Sequence, residues 1–320
     1  MDSKILELQQ RILELKKKRK ALIVAHNYQS LEIQQIADFV GDSLQLAKKC
    51  AADKRHDMIV FAGVRFMAEM ASVLSNVPVY LPAPETLCPL AGYVTASKIR
   101  AKKRKYPGVP VVVYVNTTAE TKAECDVVCT SGNAVEVVRS LGVDTVLFGP
   151  DKNLADHVRK ATSIRVIDIE PKGHCYVHQQ FDVAQIQLLR EEHPDAIVIA
   201  HPECPIEVQE AADMVGSTGM MAKTVAESPA REFILATEIG MVEQLQAANP
   251  DKVIIPAYNG ARCSQMKKNS LEKILRVLED LPEENRVTVP DELAPHVRMV
   301  LQRMSKAPST RLSVPVPSSS

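Results

Sequence analysis

Three cysteines, Cys88, Cys175 and Cys263, stand 87 and 88 residues apart. Other polar residues keep the same step: Ser43, Ser131 and Thr218; His26, Tyr114 and His201; Tyr28, Asn116 and Glu203. Each repeat carries a polar pair, a hydroxyl 17 residues past its first member, and a thiol 44 or 45 further on. A fixed period of this kind marks a triplicated unit. Three copies about a pseudo-threefold axis would bring equivalent residues to one point. Three thiols, three hydroxyls and six further groups would then share a central cavity, a three-thiolate metal site beside a polar substrate pocket.

Thiolates from such distant segments can hold zinc or an iron–sulfur cluster. Zinc sites more often use local CxxC pairs, and none is present. A cubane cluster with three cysteines leaves one iron without a protein ligand, free to act as a Lewis acid on a substrate oxygen. Spacing alone leaves cluster, zinc and no metal all open. The repeat also sorts the other cysteines. Cys125 aligns with Ala37 and Ala212 inside expected helices, Cys129 with Gly41 and Gly216, and Cys50 with apolar positions near Val138 and Val225. These read as small buried residues, the default for a free cysteine. Cys204 aligns with Gln29 and Thr117 beside the site, and its role stays open.

Ser43, Ser131 and Thr218 stand beside glycines, and each opens a helical pattern. One such hydroxyl reads as a plain N-cap. Three convergent helix N-termini, with free N–H groups and positive dipole ends, would hold a compact anion bearing carboxylates or a phosphate. His178 breaks the repeat, since Ala91 and Met266 occupy the matching positions. Beside a presumed metal ligand it is a candidate general acid–base, together with Tyr28 and Glu203. His56, His174 and His296 read as surface or structural residues.

These groups need elements to place them. Ala21–Ala25, Met58–Ala62, Val77–Leu81, Val111–Val115, Thr145–Phe148, Ile164–Ile169, Ala196–Ala200 and Val253–Pro256 read as strands. Ser30–Phe39, Ser43–Cys50 and Val64–Leu74 read as helices between the first of them. The alternation predicts α/β units with parallel sheets. Continuously apolar runs such as VVVYV and AIVIA suit strands buried on both faces. Polar residues follow the first strand of each repeat, where open α/β sheets bind ligands. The predicted division is 1–88, 89–175 and 176–264, with 265–306 packing back on the first repeat. The Ser- and Pro-rich stretch 307–320 is expected to be disordered.

Composition sets the outer bounds. At 320 residues the chain exceeds what one hydrophobic core usually organises. Lys+Arg and Asp+Glu both count 39, so neither nucleic acid nor an anionic membrane is indicated as the main partner. No apolar run approaches the roughly 18 residues that a bilayer span needs. Ile5, Leu8, Ile12 and Leu15 form one face of an amphipathic helix, with the basic run Lys16–Lys20 at its solvated end. Seven cysteines, an odd count, point to metal binding or free thiols rather than disulfides and to a cytoplasmic setting.

The motifs AHNYQ, GDS, CPLAG, YVNTTAE, GHCYVH, HPEC, GSTG and NGARCSQMKKN occur in that order, within about residues 5 to 306. Together they resemble those of the quinolinate synthases of bacterial de novo NAD biosynthesis. The resemblance implies a triangle of three αβα domains around a 4Fe–4S cluster. It implies condensation of iminoaspartate with dihydroxyacetone phosphate to quinolinate, with loss of phosphate and water. L-Aspartate oxidase is implied as a supplier of iminoaspartate. The cluster ligands would be Cys88, Cys175 and Cys263. The substrate-binding residues would be His26, Ser43, Tyr114, Asn116, Ser131, His201 and Thr218, and the catalytic ones Tyr28, Glu203 and His178. Some family members carry CxxCxxC around the last ligand; only Cys263 stands here, so that disulfide switch is not available. Two rivals remain at this stage: another cluster-dependent hydro-lyase acting on a hydroxy di-acid, and an iron–sulfur sensor. Neutral charge and the lack of a helix-turn-helix pattern speak against the sensor.

Overall fold

The computed structural model describes residues 3–306, so the expected Pro/Ser tail lies outside the described residues. Three units repeat one order of elements. The first runs α1 (Ser3–Arg19), β1 (Ala21–His26), α2 (Leu31–Ile36), β2 (Phe39–Gly41), α3 (Ser43–Ala52), β3 (Met58–Ala62), α4 (Arg65–Leu74) and β4 (Val79–Tyr80). The second runs α5 (Ala96–Lys105), β5 (Val111–Tyr114), α6 (Ala119–Lys122), β6 (Val127–Cys129), α7 (Ala134–Ser140), β7 (Thr145–Gly149), α8 (Lys152–Ala161) and β8 (Arg165–Asp168). The third runs α9 (Val183–Glu192), β9 (Ile197–Ala200), α10 (Ile206–Ala211), β10 (Met214–Val215), α11 (Thr218–Glu227), β11 (Glu232–Ala236), α12 (Ile239–Ala248) and β12 (Val253–Pro256). The sheets have the orders β2-β1-β3-β4, β6-β5-β7-β8 and β10-β9-β11-β12, and all these pairings are parallel.

Alternation of side chains along the strands fills two layers per sheet. Leu22 and Val24 of β1 pack with α3 and α4 through Leu46, Cys50, Phe66 and Met70. Ile23 and Ala25 face the other way, onto Ile12, Ile33 and Ile36. In the third sheet Ile199, Phe233 and Leu235 meet Met221, Val225 and Met241, while Val198, Ile234 and Ala236 meet Ile186 and Val208. Each fully buried side chain of this size contributes about 1.5–3 kcal/mol.

Residues after the third unit return to the first. Leu271–Asp280 forms α13 against α1, and β13 (Arg286–Val287) adds antiparallel to β4. The last helix, α14 (Ala294–Lys306), packs against α4 but also against α6 and β6, so this segment joins the first unit to the second rather than covering the first alone.

The expected helix Ser30–Phe39 ends early, at Ile36, and Phe39 opens a strand. The cause is Asp38, whose carboxylate accepts the Ile23 N–H at 2.8 Å and pins the chain beside β1. Asp126 does the same for Val111 and Asp213 for Val198, both at 2.8 Å. These aspartates set β2, β6 and β10, which sequence patterning missed. Cys125, Ala37 and Ala212 therefore lie just past α6, α2 and α10, not inside helices. A second set of equivalent residues holds the loop after each first strand. Gln34 donates to the carbonyls of Asn27 and Gln29, Lys122 to those of Val115 and Thr117, and Gln209 to those of Pro202 and Cys204.

Candidate active site

The loops fixed in this way carry Tyr28, Asn116 and Glu203, and they open into a central cavity of about 70 Å³. All thirteen residues singled out from the repeat and the resemblance line it: Cys88, Cys175 and Cys263; His26, Tyr114 and His201; Tyr28, Asn116 and Glu203; Ser43, Ser131 and Thr218; and His178. Val64, Phe66, Met67 and Met266 supply an apolar wall.

The hydroxyls are not the helix caps. Asp42 caps α3 in a reciprocal capping box with Gln45, and Ser217 caps α11. Ser43 and Thr218 are instead the first helical residues. Asn133 stands at the N-cap of α7, two residues past Ser131. Ser43 and Ser131 line the cavity, and Thr218 Oγ1 accepts from Asn27 Nδ2 at 2.9 Å. Asp42 also accepts the Gly219 N–H across the first and third units. A Cβ on Gly219 would fall 2.5 Å from Asp42 Oδ2, so this approach needs glycine. Neither lysine nor arginine is among the described lining residues, so an anion here meets helix N-termini and hydroxyls.

The polar cluster centres on Glu203, only 3% exposed. His178 Nδ1 lies 2.9 Å from Glu203 Oε2, His201 Nδ1 lies 3.5 Å from it, and the two imidazoles stack at 4.5 Å. Asn116 Nδ2 lies 3.5 Å from Glu203 Oε1. Burial raises the Glu203 carboxyl, but the hydrogen bond from His178, the two neighbouring imidazoles and the Tyr114 hydroxyl outweigh it and hold the group down at about 2. Burial pushes His26 and His201 down to about 3, so both are neutral near pH 7. Their Nδ1 atoms accept the N–H of Tyr28 (3.1 Å) and of Glu203 (3.3 Å), which leaves the Nε2 of each neutral ring as a donor. The Tyr28 hydroxyl lies 2.9 Å from Thr237 Oγ1, which lies 3.2 Å from His178 Nε2. Burial, with Glu203 nearby, raises Tyr28 well above the usual phenol value, so it keeps its proton.

The three thiols all line the cavity. Burial pushes Cys88 up to about 12 and raises Cys175 and Cys263, so without metal all three are neutral and loading must release their protons. Cys175 Sγ, His178 and Glu203 offer ligand atoms within 4.8 Å of one another. Patterning missed the groups that hold the cysteine loops. Asp151 accepts the Cys175 N–H at 3.1 Å, and Glu238 accepts the Cys263 N–H at 3.0 Å. They stand 24 and 25 residues before their cysteines and cap α8 and α12, a recurrence the repeat could have revealed. Three soft thiols on oriented loops lining one cavity fit a 4Fe–4S cluster, whose fourth iron would then lack a cysteine ligand. Cys50, Cys125, Cys129 and Cys204 are buried and do not line the cavity, and Cys204 Sγ bonds the Ala236 carbonyl.

Residues 10–306 match the family model of the quinolinate synthetase A protein. A quinolinate synthase of Methanothermobacter thermautotrophicus is 46% identical over 299 residues, covering 93% of this chain and 97% of its own. One from Pyrococcus furiosus is 46% identical over 302 residues, covering 94% and 98%. One from Thermotoga maritima is 46% identical over 294 residues, covering 92% and 97%. With the matched family spanning the whole site, the chain belongs to the quinolinate synthase family.

Proposed function

We propose that this chain condenses iminoaspartate with dihydroxyacetone phosphate to quinolinate, releasing phosphate and water. The observation that carries this reading is the single cavity lined by all thirteen residues, inside the segment that matches the family. Cys88, Cys175 and Cys263 would hold the 4Fe–4S cluster, which when bound supplies a Lewis acid for a substrate hydroxyl or carboxylate.

The remaining chemistry falls to protein groups. Ser43, Ser131 and Thr218, with the N–H groups at their helix ends, hold carboxylates or phosphate. His26, His201, Tyr114 and Asn116 orient substrate through neutral hydrogen bonds. Tyr28 keeps its proton and is placed to donate it to a departing or developing oxygen. The path from Tyr28 through Thr237 to His178 and Glu203 can reload that proton. Isomerisation, imine formation and dehydration each need a proton removed as well as one delivered, and this path can run in both directions. Apolar residues on one wall exclude water that would hydrolyse an imine.

L-Aspartate oxidase is the proposed class of supplier for iminoaspartate. The proposed division of the chain is 1–88 with 265–306, 89–175 and 176–264. Among the described residues no helix is long and apolar enough to cross a membrane.

The test is direct. Anaerobically purified, iron-loaded protein is given iminoaspartate and dihydroxyacetone phosphate, and quinolinate and phosphate are measured together. Equimolar appearance of both supports the proposal. Cluster-loaded protein that forms neither, yet dehydrates a hydroxy di-acid, would replace it with the hydro-lyase reading.

A further inference from the structure

Lys267 lies four residues past Cys263 and does not line the cavity. Its ammonium lies 2.6 Å from the Tyr28 carbonyl oxygen, 3.2 Å from Glu238 Oε1 and 3.4 Å from Glu238 Oε2. The Glu238 side chain is fully buried, and it also accepts the N–H of Cys263 at 3.0 Å and of Gly240 at 2.7 Å. The knot is tightly closed. A Cβ on Gly240 would fall 2.6 Å from Lys267 Nζ, 2.8 Å from Glu238 Oε2 and 3.0 Å from Tyr28 O.

The repeat shows the same tie in neutral form. Gln179 stands four residues past Cys175 and accepts from Asn153 Nδ2, which donates to the Glu203 carbonyl at 2.8 Å. In both places a loop bearing a proposed acid–base residue is anchored through its main chain to the neighbouring cysteine loop. At Tyr28 the anchor is a largely buried ion pair, whose charge-assisted hydrogen bonds are stronger than those of an amide. We propose that Lys267 is a positioning residue that fixes Tyr28 relative to Cys263 through the carboxylate of Glu238. The proposal rests on the roles given above to Tyr28 and Cys263.

Removing the ammonium alone strands a buried carboxylate, which destabilises the fold regardless of any effect on Tyr28. Three variants separate the two effects: Lys267→Met, Lys267→Gln, and the double variant Lys267→Met/Glu238→Gln. All are loaded with iron anaerobically and compared with wild type and Tyr28→Phe. Lys267→Met is expected to lower kcat by about 10- to 100-fold with KM within about two-fold, the scale of a misplaced reacting group. Iron loss to a chelator should be several-fold faster, because the Cys263 loop is released. Lys267→Gln keeps a donor for the Tyr28 carbonyl, as the amide link does in the second repeat, and should recover part of kcat. The double variant should regain thermal stability while kcat stays low. Should Lys267→Met fail to fold, the double variant still decides. Recovery of kcat together with stability in the double variant would overturn the proposal, as would wild-type kcat and iron loss in Lys267→Met. An active Tyr28→Phe would strike instead at the proposed function, so the two failures are told apart.

Discussion

His178 Nδ1 lies 2.9 Å from Glu203 Oε2, joining the loop after β8 to the loop after β9. His178 has no counterpart in the other repeats, and Glu203 is the one carboxylate at its repeat position. Condensing two different substrates is not a threefold-symmetric task, and the pair proposed to move protons sits where symmetry fails.

That pair yields the first prediction. Glu203→Gln is nearly isosteric and removes the negative charge and proton-transfer capacity beside His178 while keeping an acceptor oxygen. Turnover to quinolinate should fall by about 10²-fold or more, the usual scale for losing a positioned acid or base, with iron content unchanged. Tyr28→Phe should behave alike and still bind quinolinate. Near-wild-type turnover in both would leave the cluster as the sole catalytic group.

The cysteines give the second. Cys→Ser changes at Cys88, Cys175 or Cys263 should each remove most iron and sulfide, because these thiolates are the proposed ligands. Cys50→Ser and Cys125→Ser should retain both, since these thiols are buried in the hydrophobic core. Iron and sulfide analysis after anaerobic purification decides, and Cys125 as necessary as Cys88 would contradict the assignment.

The third concerns the hydroxyls. Asp42 already caps its helix, so Ser43→Ala should leave thermal stability largely intact. Ser217 caps the other helix, but Thr218→Ala strands the buried Asn27 amide and should cost about 1–3 kcal/mol of stability. Dicarboxylate binding, measured by calorimetry, should weaken by roughly 1–3 kcal/mol if the lost hydrogen bond went to a charged group. Ser131→Ala should do the same. Unchanged affinity in all three would mean that the ligand rests on backbone N–H groups alone.

The repeat made the cavity legible before any coordinates, because equivalent residues about a pseudo-threefold axis must converge. The short strands β2, β6 and β10 were hidden, since two or three residues carry no period and are set instead by Asp38, Asp126 and Asp213. The strand β11 carried its own apolar signal, FILA, and was overlooked. Lys267 left no trace in the pattern because its partner at Tyr28 is a main-chain oxygen, which every residue type possesses. Asp151 and Glu238 could have been found, since both keep the repeat step relative to Cys175 and Cys263.

The fourth prediction is a pH dependence. Burial, with the Lys267 charge adding to it and Glu203 opposing it, pushes His26 from 6.5 to about 3. The unfolded chain takes up this proton below about pH 6.5, while the folded chain resists it until about pH 3. Stability from this source is therefore complete above pH 6.5 and is lost as the pH falls towards 3. At pH 5 the loss amounts to about 2 kcal/mol. Urea unfolding of wild type and His26→Asn between pH 7 and 5 should show a shallower pH slope in the variant. Equal slopes would show that the His26 site does not resist protonation.

The closing segment, from α13 through α14, ties the first unit to itself and to the second. Ribosomal synthesis delivers that segment after all three thiols have left the exit tunnel. A nascent chain can pair the strands of the second and third sheets in turn, yet the first sheet lacks its edge strand β13 and its contact with the second unit through α14 until the end. Cluster assembly on Cys88, Cys175 and Cys263 is then expected late in synthesis, and truncations that remove α14 alone should accumulate as iron-poor protein.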